Sequence, residues 1–293
     1  MQIQEGYVPF GKYQTYYRIV GNESKKPPLL LLHGGPGSTH NYFEVLDDLA
    51  AQDQRQIIMY DQVGCGKSSD LADPNDYNQE TWVKELINLR EYLHLDQLHL
   101  LGQSWGGMLA IIYCCDYHPQ GLKSVILAST LSSARLWSSE QHRLIKQLPA
   151  AEQAAIARAE QTGDYHTKDY LAANHHYMQL HAQADPTSSS PECLRRPKRV
   201  GTVAYETAWG PNEYTPIGNL RDYEYTDQLE QLTVPALITD GTNDLCTPLV
   251  AKTMYDHIPN AKWQLFQGCR HMVFTERLKE YQQLLISWLN QHD

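Results

Sequence analysis

The chain has 293 residues, 42% of them apolar, enough for one large hydrophobic core or a core with a smaller unit attached. Lys and Arg total 24 against 34 Asp and Glu, a net charge of −10 with histidine neutral. A phosphate backbone would be repelled by most of such a surface, which excludes a nucleic-acid scaffold. No apolar run reaches membrane-span length, and Met1–Glu5 has neither the basic nor the apolar region of a secretory signal. The six cysteines (Cys65, Cys114, Cys115, Cys193, Cys246, Cys269) follow neither metal-ligand nor disulfide-framework spacing. The expectation is therefore a soluble protein of the reducing cytoplasm that needs no metal. Nothing in the sequence specifies an oligomeric state.

Residues 2–20 alternate loosely, are rich in aromatic and β-branched residues, and turn at Gly11-Lys12, which predicts an antiparallel hairpin. Leu29–His33 is an unalternating apolar run ended by glycines, as expected of a strand covered on both faces. Gln56–Tyr60 is a second such strand, and Thr81–Leu93 has helical spacing through Trp82, Leu86, Leu89 and Leu93. A third strand, Leu98–Leu101, leads through Gly102–Gly106 into a helix-like apolar stretch, followed by the strand Ser124–Leu127. From about Ser132 to Gly218 buried strands are absent. Helical stretches are predicted there at Arg143–Leu148, Ala150–Gln161 and Tyr170–Leu180, with a Pro/Ser loop at Asp185–Pro191. Within this region the short basic run Arg195–Arg199 reads as a solvated loop face, and His175, His176 and His181 as members of a solvated helix. The strand–helix rhythm then resumes with Val234–Ile238, a helix near Leu249–His257, the strand Trp263–Phe266 and a last helix near Thr275–Asn290. Short buried strands alternating with helices predict an α/β fold with a mostly parallel sheet. The helical insertion is expected to lie as a cap over the strand ends. The expected division is 1–131 and 219–293 for the core and 132–218 for the cap.

The chemistry is carried first by Gly102-Gln103-Ser104-Trp105-Gly106, a G-x-S-x-G run between a strand and a helix. Such a turn is too tight for side chains beside the serine, and it lifts the hydroxyl above the sheet edge as a nucleophile. A serine hydroxyl needs a base, and the base needs an orienting carboxylate. After the serine, an acid and a histidine follow strand ends in that order: Asp244, with Asp240 as a competitor, and then His271. Asp244 is preferred because the extra loop residues let it reach the histidine. Donors for an oxyanion are expected from the N–H of Trp105 and from the glycine loop His33–Gly37, with Gly35 as the choice there. The segment Asp61–Ser68 carries glycines and a Lys-Ser pair without P-loop spacing, and reads as a structured turn.

Together, His33–Gly37, Asp61–Ser68, Gly102–Gly107 and the placement of Asp244 and His271 resemble the prolyl aminopeptidase (proline iminopeptidase) group of α/β-hydrolases. The similarity spans essentially the whole chain, including Trp209–Tyr214 at the end of the cap. It implies an α/β-hydrolase fold, release of an N-terminal residue, often proline, from short peptides, and no metal or cofactor. It also implies that an acidic residue of the cap, here Glu213, binds the substrate's free ammonium. A carboxylate suits that task because it favours a charged partner over an internal peptide nitrogen. Members of the group often carry a second acid directly after the triad aspartate, whereas this chain has Leu245. Leu245 keeps open an amidase or esterase acting on amino-acid amides or small esters. A third reading, a catalytically silent receptor for small molecules on the same fold, is opposed by the intact Ser104, Asp244 and His271.

Overall fold

The computed structural model describes residues 2–293. Eight strands form one sheet: β1 (Ile3–Phe10), β2 (Tyr13–Val20), β3 (Leu29–Leu32), β4 (Ile57–Tyr60), β5 (Leu98–Gln103), β6 (Leu122–Ala128), β7 (Ala236–Gly241) and β8 (Ala261–Phe266). Their spatial order is β1-β2-β4-β3-β5-β6-β7-β8. The hairpin β1–β2 turns at Gly11, whose φ of 58° favours a residue without a side chain. From β4 to β8 every pairing is parallel, and only β2, antiparallel to both β1 and β4, runs against the rest.

Helices precede and follow the strands in chain order: α1 (Leu49–Gln52), α2 (Gln79–Tyr92) and α3 (Trp105–Tyr117) come before β6. Five more lie between β6 and β7: α4 (Ala134–Ile145), α5 (Ala150–Thr162), α6 (Lys168–His181), α7 (Glu192–Arg195) and α8 (Thr202–Ala208). The chain closes with α9 (Pro248–His257), α10 (Val273–Glu276) and α11 (Leu278–Gln291). Among the described residues no helix is long and apolar enough to cross a membrane.

Strand side chains alternate between two cores, as the two-residue period of a strand requires. Leu30, Leu32, Ile58 and Leu100 pack with Trp82, Leu86 and Leu109 of α2 and α3. Leu29, Leu31, Met59 and Leu101 face the other way, toward Phe43, Phe274, Tyr281 and Leu285. Both faces are covered, which explains why these strands read as unbroken apolar runs.

Two helices differ from expectation. The helix expected from Arg143 begins instead at Ala134, where the Ser133 hydroxyl accepts from the Leu136 N–H at 3.1 Å. Its buried face is Trp137, Glu140, Gln141, Leu144 and Ile145, so two polar residues sit where an apolar stripe would announce the helix. The final helix is broken at Arg277 (φ −127°, ψ 44°), so the chain forms α10 and α11 rather than one rod.

Candidate active site

Ser104 stands between β5 and α3 with φ 55° and ψ −124°, a conformation that costs a non-glycine residue on the order of 1–3 kcal/mol. The surroundings hold it there. Its N–H donates to the Ala128 carbonyl at 3.0 Å, and its own carbonyl accepts from the Thr130 hydroxyl at 2.7 Å. A Cβ on Gly106 would lie 2.0 Å from the Leu32 carbonyl oxygen, so only glycine lets α3 pack this close to β3.

Asp244 lies in the turn after β7 and is buried. Its Oδ1 accepts from Nδ1–H of His271 at 2.6 Å and from the Cys246 N–H at 2.8 Å. Its Oδ2 accepts from the Ser129 hydroxyl at 2.6 Å and from the Gly241 N–H at 3.3 Å. Four donors on one side chain describe an ionised acceptor. With Nδ1 turned to the carboxylate, Nε2 is the ring nitrogen left to serve Ser104. Asp240 is engaged elsewhere. It accepts from the Trp263 indole at 2.6 Å, and burial pushes its carboxyl up to about 8.

The His271 loop is held from both sides. Its backbone N–H donates to the His181 carbonyl at 3.1 Å, and the Trp137 ring meets its imidazole edge-on at 6.0 Å. The His181 imidazole in turn bonds the Asn243 carbonyl at 2.9 Å. The solvated helix expected around His175–His181 therefore turns one face toward the loops that carry Asp244 and His271.

Ser104, His271, Gly35 and Glu213 line one cavity of about 320 Å³. The Gly35 N–H and the Trp105 N–H, the latter at the first position of α3, meet no acceptor among the described residues. Gly35 has a φ of 114°, and a Cβ there would lie 2.6 Å from the Gly37 nitrogen. Behind this loop, His33 donates from Nδ1 to the Gly34 carbonyl at 2.9 Å and accepts at Nε2 from the Gln62 N–H at 3.0 Å. Burial pushes its pKa down to about 4, so it acts as a neutral brace. The Tyr42 hydroxyl completes the brace, accepting from Gly34 N–H at 2.6 Å and donating to Gln103 at 2.8 Å.

Glu213 follows α8. Its backbone carbonyl accepts from the Trp137 indole at 2.7 Å, and its carboxylate accepts from the Tyr205 hydroxyl at 2.8 Å. Burial pushes its carboxyl above the usual range, opposed by the nearby His271 and by the Tyr205 bond. Among the described residues no Lys, Arg or His forms an ion pair with it. Leu245 is buried, and its carbonyl accepts from the Gln141 amide at 2.7 Å. Tyr205 and Trp137 carry no signal in the sequence: Trp137 lies 76 residues from Glu213, and Tyr205, eight residues before it, follows no motif that marks a phenol as a carboxylate's partner. A larger open cavity of about 610 Å³, bounded by Arg135, His142, Tyr214 and Tyr223, contains none of Ser104, Asp244 and His271. No three His, Cys, Asp or Glu side chains gather into a metal-binding group among the described residues.

A nucleophile elbow on a mostly parallel sheet, with an acid–histidine pair on the loops after β7 and β8, defines an α/β-hydrolase. In agreement, a family model for the alpha/beta hydrolase fold matches residues 27–278. The proline iminopeptidase of Lactobacillus helveticus (strain DPC 4571) is 67% identical over 294 residues, covering all of both chains. The crystal structure of the proline iminopeptidase of Mycobacterium smegmatis is similar with a TM-score of 0.87 and 33% identity, covering 99% of this chain and 98% of that one. That of VinJ gives a TM-score of 0.91 at 30% identity, covering 99% of each chain. The chain belongs to the proline iminopeptidase family of α/β-hydrolases.

Proposed function

We propose that this protein is a serine exopeptidase that releases an N-terminal residue, proline foremost, from short peptides or amides. The observation that carries the reading is one cavity lined by Ser104, by a histidine bonded to a buried carboxylate, and by an unpaired carboxylate, Glu213. Helices α4–α8, within residues 132–218, serve as the cap that brings Glu213 to the serine. Charge and cysteine usage support a cytoplasmic enzyme.

In the mechanism, Glu213 receives the substrate's ammonium and so sets the first carbonyl at Ser104. His271 takes the hydroxyl proton as Ser104 attacks, and Asp244 stabilises the imidazolium. The N–H groups of Gly35 and Trp105 receive the negative oxygen of the tetrahedral intermediate. The imidazolium then passes its proton to the departing nitrogen as the C–N bond breaks, leaving an acyl-enzyme and a free amine. A water loses its proton to His271, attacks the ester, and the returning proton regenerates the Ser104 hydroxyl.

Turnover of a prolyl arylamide by wild type and by Ser104→Ala tests the reading. A loss of about ten-thousandfold or more is expected, together with stoichiometric labelling of wild type by a serine-directed phosphonate. Undiminished turnover by the purified variant rejects Ser104. Absence of labelling, with no turnover in wild type, favours a non-catalytic receptor.

A further inference from the structure

The basic run Arg195–Arg199 is not a uniform solvated face. Arg196 pairs with Glu44, and Arg199 with Asp70. Lys198 differs: it lines the cavity of Ser104 and Glu213, and among the described residues no carboxylate lies within ion-pair distance of it.

The carboxylates around it are already engaged. Asp61 accepts from the His40 ring and backbone N–H on one oxygen and from the Lys67 N–H on the other. Glu44 is held by Arg196 and Asn41. Asp185, on the cavity rim, pairs with His175 at 3.2 Å. Lys198 is open to solvent on one side, yet the protein around it desolvates the ammonium enough to push its pKa below the usual lysine value. A cation so placed gains more from an arriving anion than one fully in water.

Its position in the chain gives that anion a direction. The segment carrying Lys198 is tied to the glycine loop, with Gly201 N–H donating to the Gly37 carbonyl at 2.7 Å. A Cβ on Gly37 would lie 2.4 Å from the Gly201 carbonyl oxygen, so the two segments touch backbone to backbone. Glu213 is tied instead to Trp137 and Tyr205, and it forms no ion pair with Lys198. One cavity thus presents an unpaired anion and an unpaired cation from separate supports, and the nucleophile lines the same cavity.

We propose that Lys198 is a specificity-determining residue that binds the free carboxylate of the leaving amine, so that the preferred substrates are very short zwitterionic peptides. This rests on the exopeptidase reading, in which Glu213 takes the ammonium on the acyl side and leaves Lys198 for the product side. The contact exists in substrate and transition state alike, so it lowers KM rather than raising kcat.

The test compares prolyl-alanine with prolyl-alanine amide, and the corresponding tripeptide with its amide, in wild type, Lys198→Met and Lys198→Arg. A prolyl arylamide serves as a substrate without a carboxylate. Wild type is expected to favour the free acid by about tenfold to a hundredfold in kcat/KM, expressed in KM, for whichever length brings its carboxylate to Lys198. The acid-to-amide ratio is expected to collapse toward one in Lys198→Met and to be largely restored in Lys198→Arg. The ratio is taken within each enzyme, so a general loss of folded protein cancels, and the wild-type arm needs no variant. Arylamide turnover with equal rates on acids and amides overturns the Lys198 assignment alone, as does an undiminished ratio in Lys198→Met. No turnover of any prolyl substrate by wild type overturns the exopeptidase reading and this inference with it.

Discussion

Asp244 bonds His271 through one carboxylate oxygen at 2.6 Å while the Ser129 hydroxyl, at the end of β6, holds the other at the same distance. The carboxylate is therefore oriented by a strand end it does not belong to. Asp240, four residues earlier, accepts from the Trp263 indole, and the bond to the imidazole belongs to Asp244. The substitution Asp244→Asn should lower kcat on a prolyl arylamide by about ten-thousandfold, because the amide favours the wrong imidazole tautomer. Asp240→Asn should retain activity within about threefold, because Asp240 lies outside the acid–base pair. Equal losses from the two would return Asp240 to contention.

Glu213 is predicted to act on the free amine. Glu213→Gln should lower kcat/KM by about a hundredfold on prolyl arylamides, the scale of a charge-assisted bond in a desolvated site. On N-blocked esters its effect should be within about threefold. Tyr205→Phe removes the hydroxyl that steadies the carboxylate and should cost about tenfold on the free-amine substrates. Comparable losses on blocked and free substrates would make Glu213 a purely structural residue.

The elbow is predicted to fail structurally as well as catalytically when its glycines change. Gly106→Ala places a methyl group against the Leu32 carbonyl, which is backbone and unable to swing aside. A loss of about 3 kcal/mol in urea unfolding is expected, together with loss of turnover. A variant as stable and active as wild type would contradict the packing described for α3 and β3.

A buried carboxyl far from the cavity gives a prediction about pH. Glu85 of α2 accepts from the Val63 N–H and the Thr15 hydroxyl, and burial pushes its pKa up to about 8. An ordinary glutamate titrates near 4.5, so between roughly pH 4.5 and 8 the folded state retains a proton that the unfolded chain has lost. Its stabilising contribution is complete below about pH 4.5 and is lost as pH rises through 8. The expected slope is a fall of about 1.4 kcal/mol per pH unit for this group across that window. Urea unfolding of wild type and Glu85→Gln should show a smaller fall with pH in the variant. Parallel pH profiles would mean that Glu85 is ionised in the folded protein.

How much of this was legible depended on how the information is spread along the chain. The sheet and the elbow announce themselves locally: Leu29–Leu32 is unbroken and apolar because both faces are covered, and Ser104 carries its glycines with it. Asp244 and His271 were legible through their order after strand ends, though Asp240 could be set aside only by distances. The start of α4 was obscured because Glu140 and Gln141 occupy its buried face, where Glu140 bonds Thr247 and Gln141 bonds Tyr177. In the sequence Lys198 is indistinguishable from the rest of a charged loop, because pairing is a property of space. Its neighbours Arg196 and Arg199 find carboxylates more than a hundred residues away, and Lys198 does not.

The central claim is that Ser104 acts on an acyl group presented by its free amine. The most direct test is kcat/KM of the wild-type enzyme on prolyl arylamide against N-acetylprolyl arylamide. Acetylation removes the ammonium that Glu213 is proposed to bind and leaves the scissile bond in place, so a loss of at least about a hundredfold is expected. Equal rates on the two substrates would contradict the account.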